Sequence, residues 1–114
     1  MANAHSDLVH LLLMALSLPG VRVWKNATGV ARDMNDDDRM ISYGLKGSAD
    51  ITGIVRCKSG LGVRLEVECK TGTGKLHAEQ KNFKNMIEIM GGVHIEARDV
   101  DSVVAHVKKF QENH

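Results

Sequence analysis

Aromatic residues are nearly absent from this 114-residue chain: one Trp, one Tyr and two Phe make up 4% of it. The core must then be built from Leu, Ile, Val, Met and Ala. Proline occurs once against eleven glycines, so turns rest on glycine. Cysteine occurs twice, at Cys57 and Cys69. Both fall in apolar strand patterns, which excludes a disulfide framework and reads as small buried hydrophobes with free thiols. The apolar run Leu11-Leu12-Leu13-Met14 is too short to span a bilayer. The opening residues lack the basic stretch, apolar centre and small-residue cleavage site of a secretory leader, so we expect a cytoplasmic protein with no membrane partner. Charge of either sign is not in excess, the net value being +1. A strong non-specific nucleic-acid binder usually carries a clear basic surplus. Any DNA contact here must come from local arrangement.

What is present suits one domain, residues 1–114, with one modest core: 43% of the residues are hydrophobic. Residues 7–17 have helical spacing, with Ser6 as the expected cap and Leu8, Leu11, Leu12 and Ala15 on the apolar face. Pro19-Gly20 stops that helix. Residues 21–25 alternate apolar and basic side chains and read as a strand. Asn26 to Gly29 is turn chemistry. Asp33, Asp36, Asp37 and Asp38 mark a solvated acidic loop, since the ligand spacing of a calcium loop is missing. Residues 40–43 suit a short strand. Residues 50–57 and 62–69 form a hairpin joined by Lys58-Ser59-Gly60-Leu61. Residues 76–90 form a helix stopped by Gly91-Gly92, with Leu76, Phe83, Ile87 and Met90 as its inward stripe. Residues 93–97 form a strand, and Val100, Val103, Val104 and Val107 space a last helix. The order α-β-β-β-α-β-α, with room for a fourth strand before the second helix, predicts an α/β or α+β fold with a mixed sheet flanked by helices.

The chemistry concentrates between Gly47 and Gln80. A hairpin turn centred near Gly60 pairs residues whose numbers sum to about 119 or 120, and sets Asp50 across from Cys69 or Lys70. Alternation puts Glu66, Glu68 and Lys70 on one face of their strand and Leu65, Val67 and Cys69 on the other. Carboxylates and an ammonium then converge on one point. Hard oxygen donors suit magnesium or manganese, and magnesium takes only one or two protein carboxylates. Asp50 and Glu68 would hold the ion. Lys70 would bind the attacking water or stabilise charge on a phosphate. The ordinary alternative is a surface Glu/Lys strand with cross-strand ion pairs. Gln80 lies on the apolar stripe of its helix, where a long amide needs partners. A site role and a satisfied core amide are equally open for it. His77, Lys81 and Lys84 on the adjacent face could steer a phosphate backbone, or be plain solvated side chains. The six histidines show no zinc spacing. Gly72-Thr73-Gly74-Lys75 lacks the full spacing of a phosphate-cradling loop and reads as a connector.

Four stretches in this order resemble a known family: Trp24-Lys25-Asn26-Ala27-Thr28-Gly29, Gly47-Ser48-Ala49-Asp50-Ile51-Thr52-Gly53, Glu66-Val67-Glu68-Cys69-Lys70, and Leu76-His77-Ala78-Glu79-Gln80-Lys81-Asn82-Phe83 leading to Gly91-Gly92. Together they resemble the VRR-NUC domain, a branch of the PD-(D/E)xK nucleases, over nearly the whole chain. The resemblance implies a restriction-endonuclease-type fold and cleavage of DNA phosphodiesters dependent on Mg2+ or Mn2+. By position it makes Asp50, Glu68, Lys70 and Gln80 catalytic. The metal ligands would be Asp50, Glu68 and the Cys69 backbone carbonyl. Asp7 is the nearest match to an acid that the family often carries in its first helix, though shorter than the usual Glu, and Glu66 is an additional acid on the catalytic face. Lys25, Asn26, Lys75, His77, Lys81 and Lys84 would meet DNA. Small stand-alone relatives imply a homodimer acting on branched DNA such as four-way junctions, in a phage or bacterial setting. An apolar surplus between Leu8 and Leu16 offers a pairing face. The alternative is a non-catalytic DNA-binding module with the same fold. A third reading makes the acidic face a plain salt-bridged strand of an assembly protein.

Overall fold

The computed structural model describes residues 3–27 and 29–114; within residues 29–33, 36–38 and 41–43 only the backbone is described. Among the described residues nine elements follow one another: α1 (Ala4–Ala15), β1 (Val21–Lys25), β2 (Gly29–Asp33), β3 (Asp36–Tyr43), β4 (Ile51–Arg56), β5 (Gly62–Cys69), α2 (Ala78–Ile89), β6 (Val93–Ala97) and α3 (Val100–Asn113). The main sheet runs β1-β4-β5-β6. Its first three strands are antiparallel, and β6 joins β5 in parallel after the α2 crossover. This is the α+β arrangement, a mixed sheet flanked by helices, that the patterning predicts.

One sheet face carries the core. Alternate residues Ile51 and Val55 of β4, Leu65, Val67 and Cys69 of β5, and Ile95 and Ala97 of β6 meet Leu8, Leu12, Val103 and Val107 of α1 and α3. On the opposite face α2 packs at the β6 side, where its Phe83 and Ile87 bury Ala49, and the β1 side stays open. Both cysteines are buried free thiols, as their apolar setting requires. Among the described residues no helix is long and apolar enough to cross a membrane.

Several local expectations need correction. The first helix begins at Ala4 because Asn3, not Ser6, is the cap: its side chain accepts from the Ser6 amide at 2.7 Å. The expected acidic loop is instead the end of β2 and the start of β3, antiparallel strands joined through Met34-Asn35. The aspartate side chains there lie outside the described residues, as does Thr28 in the turn expected before β2. Met90 is exposed, not inward, because α2 ends at Ile89. There the Gly92 and Gly91 amides close a Schellman cap on the Ile87 and Glu88 carbonyls.

The central hairpin turns about Ser59, not Gly60. The Gly60 amide bonds back to the Cys57 carbonyl and the Cys57 amide to the Leu61 carbonyl. Gly60 takes the left-handed conformation, φ +93°, that ends such a three-residue loop. Paired residues such as Ile51 and Val67, or Thr52 and Glu66, therefore sum to 118. Continued one step, that register sets Asp50 opposite Glu68 on the same face, rather than opposite Cys69 or Lys70.

Candidate active site

Asp50 stands just before β4, and its position is fixed from three sides. Gly47 (φ +79°) brings the preceding loop against the first turn of α2, so closely that a methyl there would strike the Glu79 carbonyl. Asn26 donates its amide hydrogens to Ser48 Oγ (3.0 Å) and the Ala49 carbonyl (3.1 Å). Its own backbone amide bonds to the Asp50 carbonyl. The Asp50 carboxylate then accepts the Cys69 amide through Oδ2 at 2.9 Å. A backbone donor holds this aspartate in one rotamer, partly exposed and facing the end of β5.

Glu68 is the buried member of the pair, 4% exposed. Burial, and then the neighbouring Asp50 charge, push its carboxyl up to about 7, while the Lys70 ammonium and the Asp50 backbone amide pull the other way. A hydrogen bond with the Asp50 side chain adds to the rise. The two carboxyl groups are thus neighbours that cannot both ionise cheaply. Lys70 Nζ lies 3.9 Å from Glu68 Oε1, itself mostly buried.

Gln80 finds the partners that a half-buried amide needs. It donates Nε2–H to Glu68 Oε1 at 3.0 Å and accepts the His77 amide on Oε1 at 2.9 Å. The second bond is the helix-side half of a capping box, so the same residue that starts α2 also orients Glu68. The sequence leaves a site role and a core role equally open; the geometry joins Gln80 to the carboxylate pair.

Other predicted residues fall elsewhere. Glu66 is fully buried but turned to the strand behind: Oε1 accepts Thr52 Oγ1 (2.9 Å) and Arg64 Nε (2.8 Å). Burial raises its carboxyl, and those two donors lower it. The Cys69 thiol faces the core and is pushed up to about 12, by burial and then by the Asp50 and Glu68 charges. Its contribution to the site is through the backbone. Asp7 is exposed on α1. The residue of α1 that meets Asp50 is His5, whose Nε2 lies 3.2 Å from Asp50 Oδ2. Two residues along a helix are about 200° apart, so the helix cannot present both. A small cleft beside Asp50, about 80 Å³, is lined by His5, Ser6, Val9, His10, Lys25 and Asn26.

Lys75, His77 and Lys81 are exposed about the start of α2. Lys84 is half-buried and paired with Glu88 at 3.8 Å. Sequence reasoning missed two residues. His5 shares the face of Leu8, Val9 and Leu12 once the helix is started at Ala4, which the Asn3 cap signals. Arg98 carries no motif: it bonds the Gly72 and Gly74 carbonyls and Glu96, fastening the loop that follows Lys70.

Among the described residues no three His, Cys, Asp or Glu side chains group to hold a metal ion. The pair Asp50 and Glu68 still fits magnesium or manganese, because magnesium keeps most of its waters and takes one or two carboxylates. The donor chemistry agrees. Of two adjacent acid groups, one is kept near neutral by burial beside the other, and a cation between them would let both ionise. Comparison of the chain with protein-family models, with curated proteins and with solved structures gives no match.

Proposed function

We propose that the protein is a metal-dependent DNA endonuclease that hydrolyses phosphodiester bonds, with Asp50, Glu68, Lys70 and Gln80 as its working residues. The observation that carries this reading is the meeting of Asp50 and Glu68 at one end of the sheet, with the Lys70 ammonium beside them. Asp50, Glu68 and the Cys69 carbonyl would hold the ion. Bound Mg2+ or Mn2+ supplies a Lewis acid and a more acidic water. The chain's own groups do the rest. Lys70 donates N–H bonds to the attacking water or to the phosphate oxygens, where negative charge builds. Gln80 keeps the Glu68 carboxylate in one orientation, and the Cys69 amide does so for Asp50. The resemblance to VRR-NUC domains supports the same assignment and extends it to branched DNA and a homodimer. Leu11 and Met14, 54% and 75% exposed on α1, are an apolar strip such a dimer could cover.

The test is nicking of four-way-junction and plain duplex DNA with and without Mg2+, beside Lys70→Ala. Loss of one such donor costs about 100- to 1,000-fold in rate. Equal rates for the variant and the parent overturn the mechanism. A second reading, a DNA-binding module with no turnover, is favoured by the first helix, which turns His5 rather than the acid Asp7 toward Asp50. Calorimetry with Mn2+ decides between them: the nuclease binds the ion and Asp50→Asn does not.

A further inference from the structure

We propose that the sheet face beside the carboxylate pair is a stacking platform for unpaired DNA bases, centred on Trp24. This rests on the nuclease reading and adds which form of DNA lies next to the cut.

Trp24 is the only tryptophan in the chain and is 47% exposed. Along β1, Val21 and Val23 turn to the core, so Arg22 and Trp24 share the opposite face. The register gives that face its neighbours: Trp24 pairs with Thr52 and Arg22 with Ile54. Continuing along β4, the same face reads Asp50, Thr52, Ile54, Arg56. Trp24 is therefore one two-residue step, about 7 Å, from the row that holds Asp50 and Glu68. Ile54 is 48% exposed beside it.

Guanidinium groups gather beside this apolar pair, while the nearest acids of the same face, Glu66 and Asp50, are held by Arg64 and by the Cys69 amide. Arg22 and Arg56 are exposed, and among the described residues neither has an ion-pair partner. Arg64, across from Ile54, shares only its Nε with Glu66. An indole with guanidinium groups on the side away from the carboxylate pair suits a single strand: a flat face for a base and cations for the phosphates that lead off along the sheet. A closed duplex hides its base faces and offers nothing to the indole. The platform thus favours the unpaired nucleotides of a branch point or flap next to the cleaved bond. The near-neutral total charge agrees with binding that depends on local fit rather than a basic surface.

The experiment uses the full chain in EDTA, so that no cleavage occurs. Trp24 emission is titrated with oligo(dT) and with a blunt duplex, and affinity is followed in parallel by anisotropy of labelled oligo(dT). Saturable quenching by oligo(dT), weak or absent with duplex, is expected. Trp24→Ala should lose about tenfold or more in affinity for oligo(dT), with Trp24→Phe recovering most of it. Arg22→Ala and Arg56→Ala should each lower the salt slope by about 0.7, the single-strand value for one phosphate contact. Unmoved emission at saturating oligo(dT), or equal affinity in Trp24→Ala, overturns the platform. So does an emission shift that grows with protein concentration in the absence of DNA, which would assign the face to a second copy. A chain that nicks DNA with Mg2+ but fails this titration keeps the nuclease reading and loses this one.

Discussion

Replacing Glu68 by Gln should make the metal-free protein more stable while removing the cleavage proposed for it. The carboxyl of Glu68 is displaced from 4.5 to about 7 in the fold. At about 1.4 kcal/mol per pH unit, that is roughly 3 kcal/mol. The sign follows from proton binding. Between pH 4.5 and 7 the folded chain keeps a proton that the unfolded chain has released, so stability falls as pH rises through that window. The cost is complete above pH 7 and absent below pH 4.5. In Glu68→Gln the new amide would keep an acceptor for Gln80 Nε2 and would turn an N–H toward Asp50 in place of a like charge. Urea unfolding followed by far-ultraviolet circular dichroism in EDTA should give a gain of about 3 kcal/mol at about pH 8, shrinking to about 1 kcal/mol or less at about pH 5. A gain of equal size at both pH values, or a loss at the higher one, refutes the reasoning. Cleavage by Glu68→Gln should vanish, the usual opposition of stability and function at a charged site.

His94 predicts the reverse pH signature. It is buried, neither ring nitrogen has a hydrogen-bond partner among the described residues, and its ring meets the edge of Phe83. Burial, then the Lys84 charge, lowers its pKa, against Glu88 and Glu96. Below about pH 6.5 the unfolded chain takes a proton the folded one refuses, so stability falls as the solution is acidified. His94→Leu should flatten that acid limb in the same urea titrations; an unchanged slope between about pH 5 and 6.5 counts against the account. Gly47→Ala combines a left-handed backbone with a clash on the Glu79 carbonyl. It should cost about 2 kcal/mol or more and depress cleavage, read by thermal unfolding and nicking, whereas a variant as stable as the parent would show that the loop can shift.

Much of this arrangement is legible in the residues alone. The alternation Leu65-Glu66-Val67-Glu68-Cys69 assigns both faces of β5, because a strand has a period of two and one face must be dry. The boundaries of β1 and β6 follow from their flanking Pro-Gly, Gly-Gly and Asp residues. The hairpin register does not, since Lys58-Ser59-Gly60-Leu61 admits more than one loop length and the bond from Cys57 to Leu61 decides it. Aspartates at 33 and 36–38 suggest a loop by composition, but pairing between two strand segments outweighs weak local preference. Burial of Glu66 is invisible in sequence because it depends on Thr52 and Arg64 arriving together. His5 is missed for a simpler reason: a helix begun three residues late rotates every contact of its first turn out of view.

The groups that meet around Glu68 are close along the chain: Asp50 across one hairpin, Gln80 in the first turn of the next helix. Closing such short loops costs little entropy, so these contacts can form early in folding. β1 and α1 come from the far side of the β2–β3 excursion and arrive across a longer separation. The two acids would then come together while water still reaches both, and Glu68 would lose it only as the last layers dock. Folding at neutral pH should accordingly take up a proton late, at the step that seals the sheet.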